Sequence, residues 1–289
     1  MGNTNHSLTL LAVHAHPDDE VIGTGGTLAR YAAEGVRTAL VCATLGEEGE
    51  VVDPSMDQEE TKRRLAEIRE GELRGACRVL GVQELRILGY RDSGMAGTPA
   101  NQHPEAFCQA DLNEATGRLV QIIRELHPQV MITYDENGGY RHPDHIMTHR
   151  VAVAAFHAAG DPLRYPEQGL EPWQPSKLYQ IATPRSRFEK MREYYRQTGQ
   201  PDPYDRPDRP IRRLGIPDAL ITATIDARQY LQQKRDALAC HRTQISTESM
   251  FFKIPEDLAS EGLGREHFIL IRTLVSLTLP EDDLFAGLR

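Results

Sequence analysis

Residues 8–20 read LTLLAVHAHPDDE, a mostly apolar run followed at once by a cluster of histidine, proline and acidic residues. A short apolar run between polar flanks is typical of a strand that is buried on both faces of a sheet. Residues 24–34 then repeat apolar side chains at helical spacing, and Gly35 supplies a helix stop. The segment therefore predicts a strand, a turn that carries the charged cluster, and a helix.

The same alternation continues along the first half of the chain. The pattern predicts strands over residues 36–44, 84–88 and 129–133, and helices over residues 62–80 and 111–126. Strands that alternate with helices pair in parallel through right-handed crossovers and form a doubly wound sheet. The expected fold class is therefore α/β, with the ligand-binding crevice outside the carboxyl ends of the strands.

The composition changes after about residue 160, where prolines become frequent. Residues 200–210 read QPDPYDRPDRP and cannot form regular structure throughout, so we interpret them as a long loop. We expect residues 1–160 to form the metal-binding catalytic core. Residues 161–289 are expected to form a small C-terminal α+β extension of the same functional unit. Its predicted elements are strands over residues 221–225 and 268–271 and a helix over residues 230–240.

The charge and hydropathy of the chain exclude several classes of partner. There are 33 Lys and Arg residues against 42 Asp and Glu residues, a formal net charge of -9. This balance provides no overall basic field for nucleic acid or an anionic membrane. The sequence shows no run of about 18 apolar residues and no signal peptide. We expect a cytoplasmic protein with a small-molecule partner, and the sequence leaves room for a homo-oligomer.

Two clusters of metal-ligating residue types follow predicted strands, HPDD at residues 16–19 and HPDH at residues 142–145. The four cysteines form no CxxC pair, so a metal site would use imidazole and carboxylate groups. Catalytic zinc usually takes three such ligands and keeps one position for water. His16, Asp19 and His145 would supply that set, since residues three apart can turn toward one point.

Asp18 and His142 remain beside this set as a natural pair of base and acid. One HPDD segment alone could equally be a helix-capping turn, with Pro17 at the first helical position. Two clusters at separate strand ends weaken that alternative, because capping requires no histidine. Imidazole and carboxylate ligands also suit Fe²⁺ or Co²⁺, so the predicted cofactor is one Zn²⁺ per chain with these two as alternatives.

The glycines of the first predicted helix invite a dinucleotide-binding interpretation, which fails on spacing. A GxGxxG motif that starts at Gly23 would need glycine where Leu28 stands. The acidic residues just before this helix would also repel a pyrophosphate. We therefore interpret Gly23, Gly25 and Gly26 as positions of close packing.

Taken with these clusters, further motifs resemble the PIG-L/LmbE-like zinc-dependent de-N-acetylases. Within that family the sequence is most similar to the N-acetylglucosaminyl-inositol deacetylases and the mycothiol S-conjugate amidases. The resemblance implies a Rossmann-like fold, a divalent metal and hydrolysis of an N-acyl group on an amino sugar. The motifs are AVHAHPDDE at residues 12–20, TLGEEGEV at 44–51, RDSGMAG at 91–97, TYDENGGYRHPDH at 133–145 and DDLFAGL at 282–288.

The resemblance also implies roles for single residues of the two clusters. Asp18 is similar to the general base that activates water. His142 is similar to the histidine that acts as an acid and stabilises the oxyanion, with Asp144 placed to orient it. Tyr140 is similar to the tyrosine that helps to polarise the carbonyl. The implied metal ligands are His16, Asp19 and His145, and the implied sugar-pocket residues are Arg69, Asp92 and Met95.

The expected function is removal of an acetyl group from an N-acetylglucosaminyl-inositol-type glycoside in low-molecular-weight thiol biosynthesis. RDSGMAG and TLGEEGEV resemble the deacetylases. Three other features instead resemble the amidases, which act on thiol conjugates in detoxification: YDENGGY at residues 134–140, PWQPSKLYQ at residues 172–180, and the adjacent Phe251 and Phe252 after HRTQ. A second alternative is a catalytically silent domain that binds a metal or a glycan.

Overall fold

The computed structural model describes residues 8–202 and 215–289. Every strand that the sequence predicts in the first half is present, with small shifts of its ends. The elements of this half are β1 (Thr9–His14), α1 (Asp19–Ala33), β2 (Arg37–Thr44), α2 (Gln58–Arg63), α3 (Leu65–Leu80), β3 (Glu84–Tyr90), α4 (Leu112–Leu126), β4 (Val130–Thr133), α5 (Gly138–Arg141) and α6 (Pro143–Ala158).

The second half adds three strands and four helices among the described residues. Four elements there were not predicted from the sequence: β5, α7, α9 and α10. The elements are β5 (Lys177–Ala182), α7 (Arg185–Thr198), β6 (Ala223–Asp226), α8 (Leu231–Leu238), α9 (Met250–Lys253), α10 (Glu256–Gly262) and β7 (Arg265–Thr273). Of the loop predicted at residues 200–210, residues 203–210 lie outside the described part of the chain.

The seven strands form one mixed sheet in the order β3-β2-β1-β4-β5-β7-β6. The five strands from β3 to β5 are parallel, and β7 runs antiparallel to both β5 and β6. The chain winds to one side of β1 through β2 and β3 and then crosses to the other side through β4 and β5. The predicted α/β fold with a mainly parallel, Rossmann-like sheet is confirmed, and its switch point lies between β1 and β4.

The hydrophobic core has one layer on each face of this sheet. On one face, Leu28 and Tyr31 of α1 and Leu73 of α3 pack with the strands and with α8. On the other face, Leu119 of α4 and Phe156 of α6 pack against alternate side chains of the same strands. Burial on both faces explains why the central strands β1 and β4 are almost wholly apolar.

Two predicted helices have different limits in the structure. Helix α1 begins at Asp19 rather than at residue 24, because the Asp18 carbonyl already accepts the N–H groups of Val21 and Ile22 at 3.0 Å each. The helix predicted over residues 62–80 is two helices, α2 and α3, which are separated at Arg64 by a non-helical backbone with φ -113° and ψ 17°. Because α1 begins at Asp19, the last residue of the first cluster lies inside this helix.

The glycines of α1 are confirmed as positions of close packing. A Cβ atom at Gly26 would lie 2.7 Å from the Ala227 Cβ, and one at Gly23 would lie 2.9 Å from the Ile181 Cδ1. Both distances are shorter than real Cβ contacts allow. The glycines thus let α1 lie close to the segments around β5 and β6. Among the helices of residues 8–202 and 215–289, none combines the length and the apolar character needed to cross a membrane.

Replacing Gly26 with alanine should destabilise the fold by about 1–3 kcal/mol, because the added methyl group overpacks the contact with Ala227. Gly71 provides a matched control, since it lies exposed in α3 with no neighbouring atom within 4 Å of its added Cβ. Gly71→Ala should stabilise the protein by about 0.5–1 kcal/mol through helix propensity. Chemical denaturation measures both effects, and equal effects of the two changes would contradict the packing argument.

Candidate functional site

The two histidine and aspartate clusters meet at the carboxyl ends of β1 and β4. His16 lies in the turn after β1, Asp19 begins α1, and His145 lies in the first turn of α6. The His16 Nδ1 atom is 3.2 Å from the His145 Nε2 atom and 3.4 Å from the Asp19 Oδ2 atom. His145 Nε2 and Asp19 Oδ2 are 3.3 Å apart. The structure thus brings the three expected ligands together as a compact triangle of donor atoms.

This triangle has the dimensions of a metal site. Ligands at about 2.0–2.2 Å from a tetrahedral zinc ion are separated from one another by roughly 3.3–3.6 Å. His142 lies beside the triangle, and its ring offers a nitrogen within 4.8 Å of the donor atoms of His16 and His145. All three histidines are buried. The site is therefore a histidine and aspartate cluster that could hold a metal ion.

Buried carboxylates around His16 give this site a preference for positive charge. Burial acts to lower the pKa of His16, but hydrogen bonds with Asp144, Asp19 and Asp92 outweigh it and raise the pKa well above its usual value. Asp19 shows the opposite result, since burial raises its pKa and the neighbouring histidines lower it well below its usual range. Such surroundings favour a cation, whether a proton or a metal ion.

Tyr134 fixes two members of the triangle, and the sequence analysis missed it. Its hydroxyl donates a hydrogen bond to Asp19 Oδ2 and accepts one from the Ala15 backbone N–H, each at 2.8 Å. Its ring stacks on the His145 ring, with a centroid separation of 4.1 Å and an interplanar angle of 22°. The signal in the sequence was its position, directly after the last residue of β4.

The Asp144 carboxylate orients His16 rather than His142. Its Oδ2 atom accepts hydrogen bonds from His16 Nε2 at 3.1 Å and from the Ser93 backbone N–H at 2.9 Å, and the Ser93 hydroxyl donates to Oδ1. Asp144 reaches His142 through its backbone N–H, which donates to His142 Nδ1 at 3.2 Å. The expectation that this carboxylate orients His142 is therefore corrected, because its two oxygens already bind Ser93 and His16.

Asp18 lies at the mouth of the site in an unusual backbone conformation. Its φ is 110°, a region that residues with a Cβ rarely occupy and that persists only where the surroundings hold it. Its side chain is partly exposed, and its Oδ2 atom lies 3.3 Å from the Arg69 Nη2 atom. Burial raises the pKa of Asp18 to about 6, against the lowering effect of the Arg69 charge.

Of the three expected sugar-pocket residues, only Met95 is exposed. Arg69 is 3% exposed, and its terminal nitrogens donate to the carbonyls of Pro17 and Gly46 as well as to Asp18. The structure therefore brings Arg69 to the first cluster instead of leaving it open to a sugar. Because any side chain at Gly46 would collide with this guanidinium, glycine is required there.

Asp92, the second expected sugar contact, is also buried. Its Oδ1 atom accepts a hydrogen bond from the Gly94 backbone N–H at 2.8 Å and lies 3.5 Å from His16 Nε2. Burial acts to raise the pKa of Asp92, but the contacts with His16 and Gly94 lower it below the usual range. Asp92 therefore adds a negative charge beside His16.

His142 is buried beside the triangle, and Tyr140, two residues earlier in the chain, is exposed. His142 Nδ1 accepts the Asp144 N–H, so the neutral ring carries its proton on Nε2. Burial and the neighbouring His16 lower the pKa of His142 to about 4. Tyr140 is 47% exposed, and its ring lies edge-on to the His145 ring at a centroid separation of 4.9 Å. The partial burial of Tyr140 and the nearby negative charges of Asp19, Asp18 and Asp92 raise the pKa of its hydroxyl. The hydroxyl therefore remains a proton donor.

Comparisons with solved structures agree with this fold. The N,N'-diacetylchitobiose deacetylase of Pyrococcus horikoshii superposes with a TM-score of 0.63 at 23% identity, over 92% of this chain and 84% of that one. The 4-carboxy-2-hydroxymuconate hydratase GalB of Pseudomonas putida superposes with a TM-score of 0.62 at 18% identity, over 94% and 99% of the two chains. These likenesses concern the fold alone, since one fold carries two reactions.

The fold and the site define a Rossmann-like α/β protein whose histidine and aspartate cluster could hold a metal ion. The family described as PIG-L, GlcNAc-PI de-N-acetylase, matches residues 11–156. The 1D-myo-inositol 2-acetamido-2-deoxy-alpha-D-glucopyranoside deacetylase of Geodermatophilus obscurus is 46% identical, over 98% of each chain. The Thermobifida fusca protein of the same name is also 46% identical, over 96% of this chain and 98% of that one. This chain belongs to the PIG-L family.

Replacing Tyr134 with phenylalanine should destabilise the protein by about 1–3 kcal/mol, because the buried Ala15 N–H loses its acceptor. The stacked ring on His145 is retained, so the loss reports the hydroxyl alone. Chemical denaturation of the metal-free protein measures this effect without any assumption about the reaction. A variant as stable as the parent would show that the hydroxyl contacts contribute nothing to the fold.

Proposed function

We propose that this protein is a metal-dependent deacetylase that removes the acetyl group from an N-acetylglucosaminyl-inositol-type glycoside in the biosynthesis of a low-molecular-weight thiol. The observation that carries the proposal is the convergence of His16, Asp19 and His145 beside Asp18, in a chain nearly half identical to deacetylases of this substrate class. The family relationship supports the class of bond, and the near full-length identity supports the class of glycoside.

We infer that the metal is zinc, held by His16 Nδ1, Asp19 Oδ2 and His145 Nε2. Two imidazoles and one carboxylate are a frequent catalytic zinc set, although Fe²⁺ and Co²⁺ accept the same donors. When bound, such an ion would polarise the amide carbonyl and lower the pKa of a coordinated water. The His16 Nε2–H contact with Asp144 supports this assignment, because a carboxylate commonly fixes the ring orientation of a ligating histidine.

Asp18 is proposed to accept the proton from the attacking water. Asp18 is next to the ligand Asp19 in sequence, and it is the more exposed of the two acids of the first cluster, with its side chain 17% exposed against 12% for Asp19. Arg69 holds one of its oxygens, which leaves the other free to take a proton. A carboxylate that is fixed in this way can transfer a proton without first losing rotational freedom.

His142 and Tyr140 are proposed to stabilise the negative oxygen that develops as the carbonyl is attacked. The neutral His142 ring can donate from Nε2, since Nδ1 is occupied by the Asp144 N–H. Tyr140 adds a hydroxyl donor from the exposed side. A protonated His142 would also supply the proton that the departing amine needs, which is the acid role that the resemblance implies. Asp18, which takes a proton from the water, is the other group of the site that can supply it.

Substrate contacts are proposed for Met95, which is exposed, and for Asp92, which lies three residues earlier and is buried. Arg69 is proposed to act on the substrate only through Asp18, because its terminal nitrogens bind protein atoms. A sugar ring with several hydroxyl groups suits a site that is rich in carboxylates.

The first test is release of free primary amine from N-acetylglucosaminyl-inositol by zinc-loaded and chelator-treated protein. We expect turnover with zinc, loss of turnover after chelation and recovery when zinc is restored. A mycothiol S-conjugate is assayed in parallel. Turnover of the conjugate alone would replace the proposal with the amidase function. Tight glycan binding without turnover of either substrate would replace it with a binding domain.

The roles of the ligand and the base are separated by two substitutions. Asp18→Asn keeps the shape of the side chain and suits the positive φ, so it should retain zinc while kcat falls by about 10²–10⁴-fold. His145→Ala removes a ligand and should lose both zinc and turnover. Metal content by elemental analysis and kcat by amine release measure these outcomes. Equal loss of zinc in the two variants would contradict the assignment.

A further inference from the structure

A buried ion pair lies beneath the first cluster, outside the proposed ligand set. Glu20 of α1 and His241, which follows α8, are each 0% exposed. The His241 Nε2 atom donates to the Glu20 Oε1 atom at 2.7 Å. The two residues are 221 positions apart in the chain. Burying a carboxylate is costly unless it is paired, so this contact is a specific feature of the fold.

The second oxygen of Glu20 reaches the proposed base. Glu20 Oε2 accepts a hydrogen bond from the Asp18 backbone N–H at 2.9 Å. Asp18 is one of the four residues other than glycine with a positive φ in the described part of the chain. Since such a conformation persists only where neighbours hold it, the bond from Glu20 is one of its restraints. Arg69 supplies the other by binding the Pro17 carbonyl and the Asp18 carboxylate.

His241 is itself fixed by the segment HRTQ, residues 241–244. Thr243 donates to Glu72 of α3 from its backbone N–H at 2.8 Å and from its hydroxyl at 2.6 Å. Gln244 donates to the Glu50 carbonyl at 2.7 Å. The segment therefore joins α3, the loop after β2 and the first turn of α1. Because this segment is fixed, the His241 side chain can hold the Glu20 carboxylate in one position.

The charges in this pair are complementary. Burial lowers the pKa of His241, but Glu20 outweighs that effect and the pKa is raised. A charged imidazolium that donates to the Glu20 carboxylate makes a stronger hydrogen bond than a neutral ring does. The chain of contacts runs from His241 through Glu20 to Asp18 without a gap longer than 2.9 Å.

We propose that His241 is a positioning residue for the deacetylation, which acts through Glu20 to hold Asp18 in the orientation needed to accept a proton. This inference rests on the proposed function, because it requires Asp18 to be the base. His241 contacts neither the substrate nor the three ligand atoms. Its effect should therefore fall on kcat, with KM and metal content nearly unchanged.

The test uses the full-length, zinc-loaded protein and the amine-release assay. His241→Leu removes the donor to Glu20, and kcat should fall by about 10- to 100-fold, while KM and bound zinc stay within about threefold. His241→Gln restores an N–H donor near Glu20 Oε1, and it should recover most of the lost kcat. A purely structural role would lower the amount of folded protein without this difference in kcat per folded, metal-loaded molecule.

Glu281→Gln provides a matched control. The Lys177 and Glu281 side chains form another buried ion pair, with Lys177 Nζ 2.5 Å from Glu281 Oε1. Lys177 is the first residue of β5, so the pair lies at the amino-terminal ends of the parallel strands, whereas the site lies at their carboxyl ends. Loss of this ion pair should lower the free energy of unfolding and leave kcat per folded molecule unchanged. A fall in kcat as large in this control as in His241→Leu would overturn the proposal, since kcat would then report general destabilisation.

If His241→Leu does not accumulate as folded protein, the double variant Glu20→Gln/His241→Leu removes the unpaired buried charge. It keeps an amide oxygen for the Asp18 N–H but no longer fixes its position, so kcat should remain at least about 10-fold below that of the Glu20→Gln single variant. Equal kcat in these two variants would overturn the positioning role of His241.

The activity of the wild type and of Asp18→Asn separates the two proposals. An inactive wild type, or an Asp18→Asn variant as active as the wild type, would overturn the proposed function and this inference with it. An active wild type, an inactive Asp18→Asn and an undiminished kcat in His241→Leu would overturn the inference alone.

Discussion

The parallel pairing of β1 with β4 is the contact on which the site depends. Residues 10–12 of β1 lie beside residues 130–132 of β4, although about 120 positions separate them. The first cluster follows β1 directly, and the second follows β4 after a loop and α5. Parallel strands end at the same edge of a sheet, so the two clusters meet there. A different neighbour for β1 would separate His16 and Asp19 from His145, and no donor triangle would form.

Buried hydrogen bonds then fix the donor atoms that this pairing brings together. Tyr134 holds Asp19 and stacks on His145. Asp144, which itself accepts hydrogen bonds from Ser93, holds His16. A buried polar atom is costly unless it has a hydrogen-bond partner. Each of these contacts supplies such a partner and also restricts the rotation of the side chain that it binds. Protein contacts therefore fix the donor atoms, and they concentrate several carboxylates around two imidazoles.

The limits of sequence-based prediction in this chain have physical causes. Strands β1, β2 and β4 are mostly apolar and almost wholly buried, and all four strands of the first half were predicted within one or two residues. Strand β5 (Lys177–Ala182) was missed because its short run KLYQIA lies among prolines and carries two polar residues. The sequence cannot show that this strand lies in the middle of the sheet, since its partners β4 and β7 are distant along the chain.

The sequence by itself determined the fold class, the family and the two clusters that form the site, because periodicity and residue type are local properties. Only the tertiary structure decided which partner each polar side chain takes. In the folded protein Arg69 binds Asp18. The Asp144 carboxylate binds His16, and His241 binds Glu20. These pairings join residues from about 50 to more than 200 positions apart, and their specificity comes from burial and geometry, which a linear pattern does not contain.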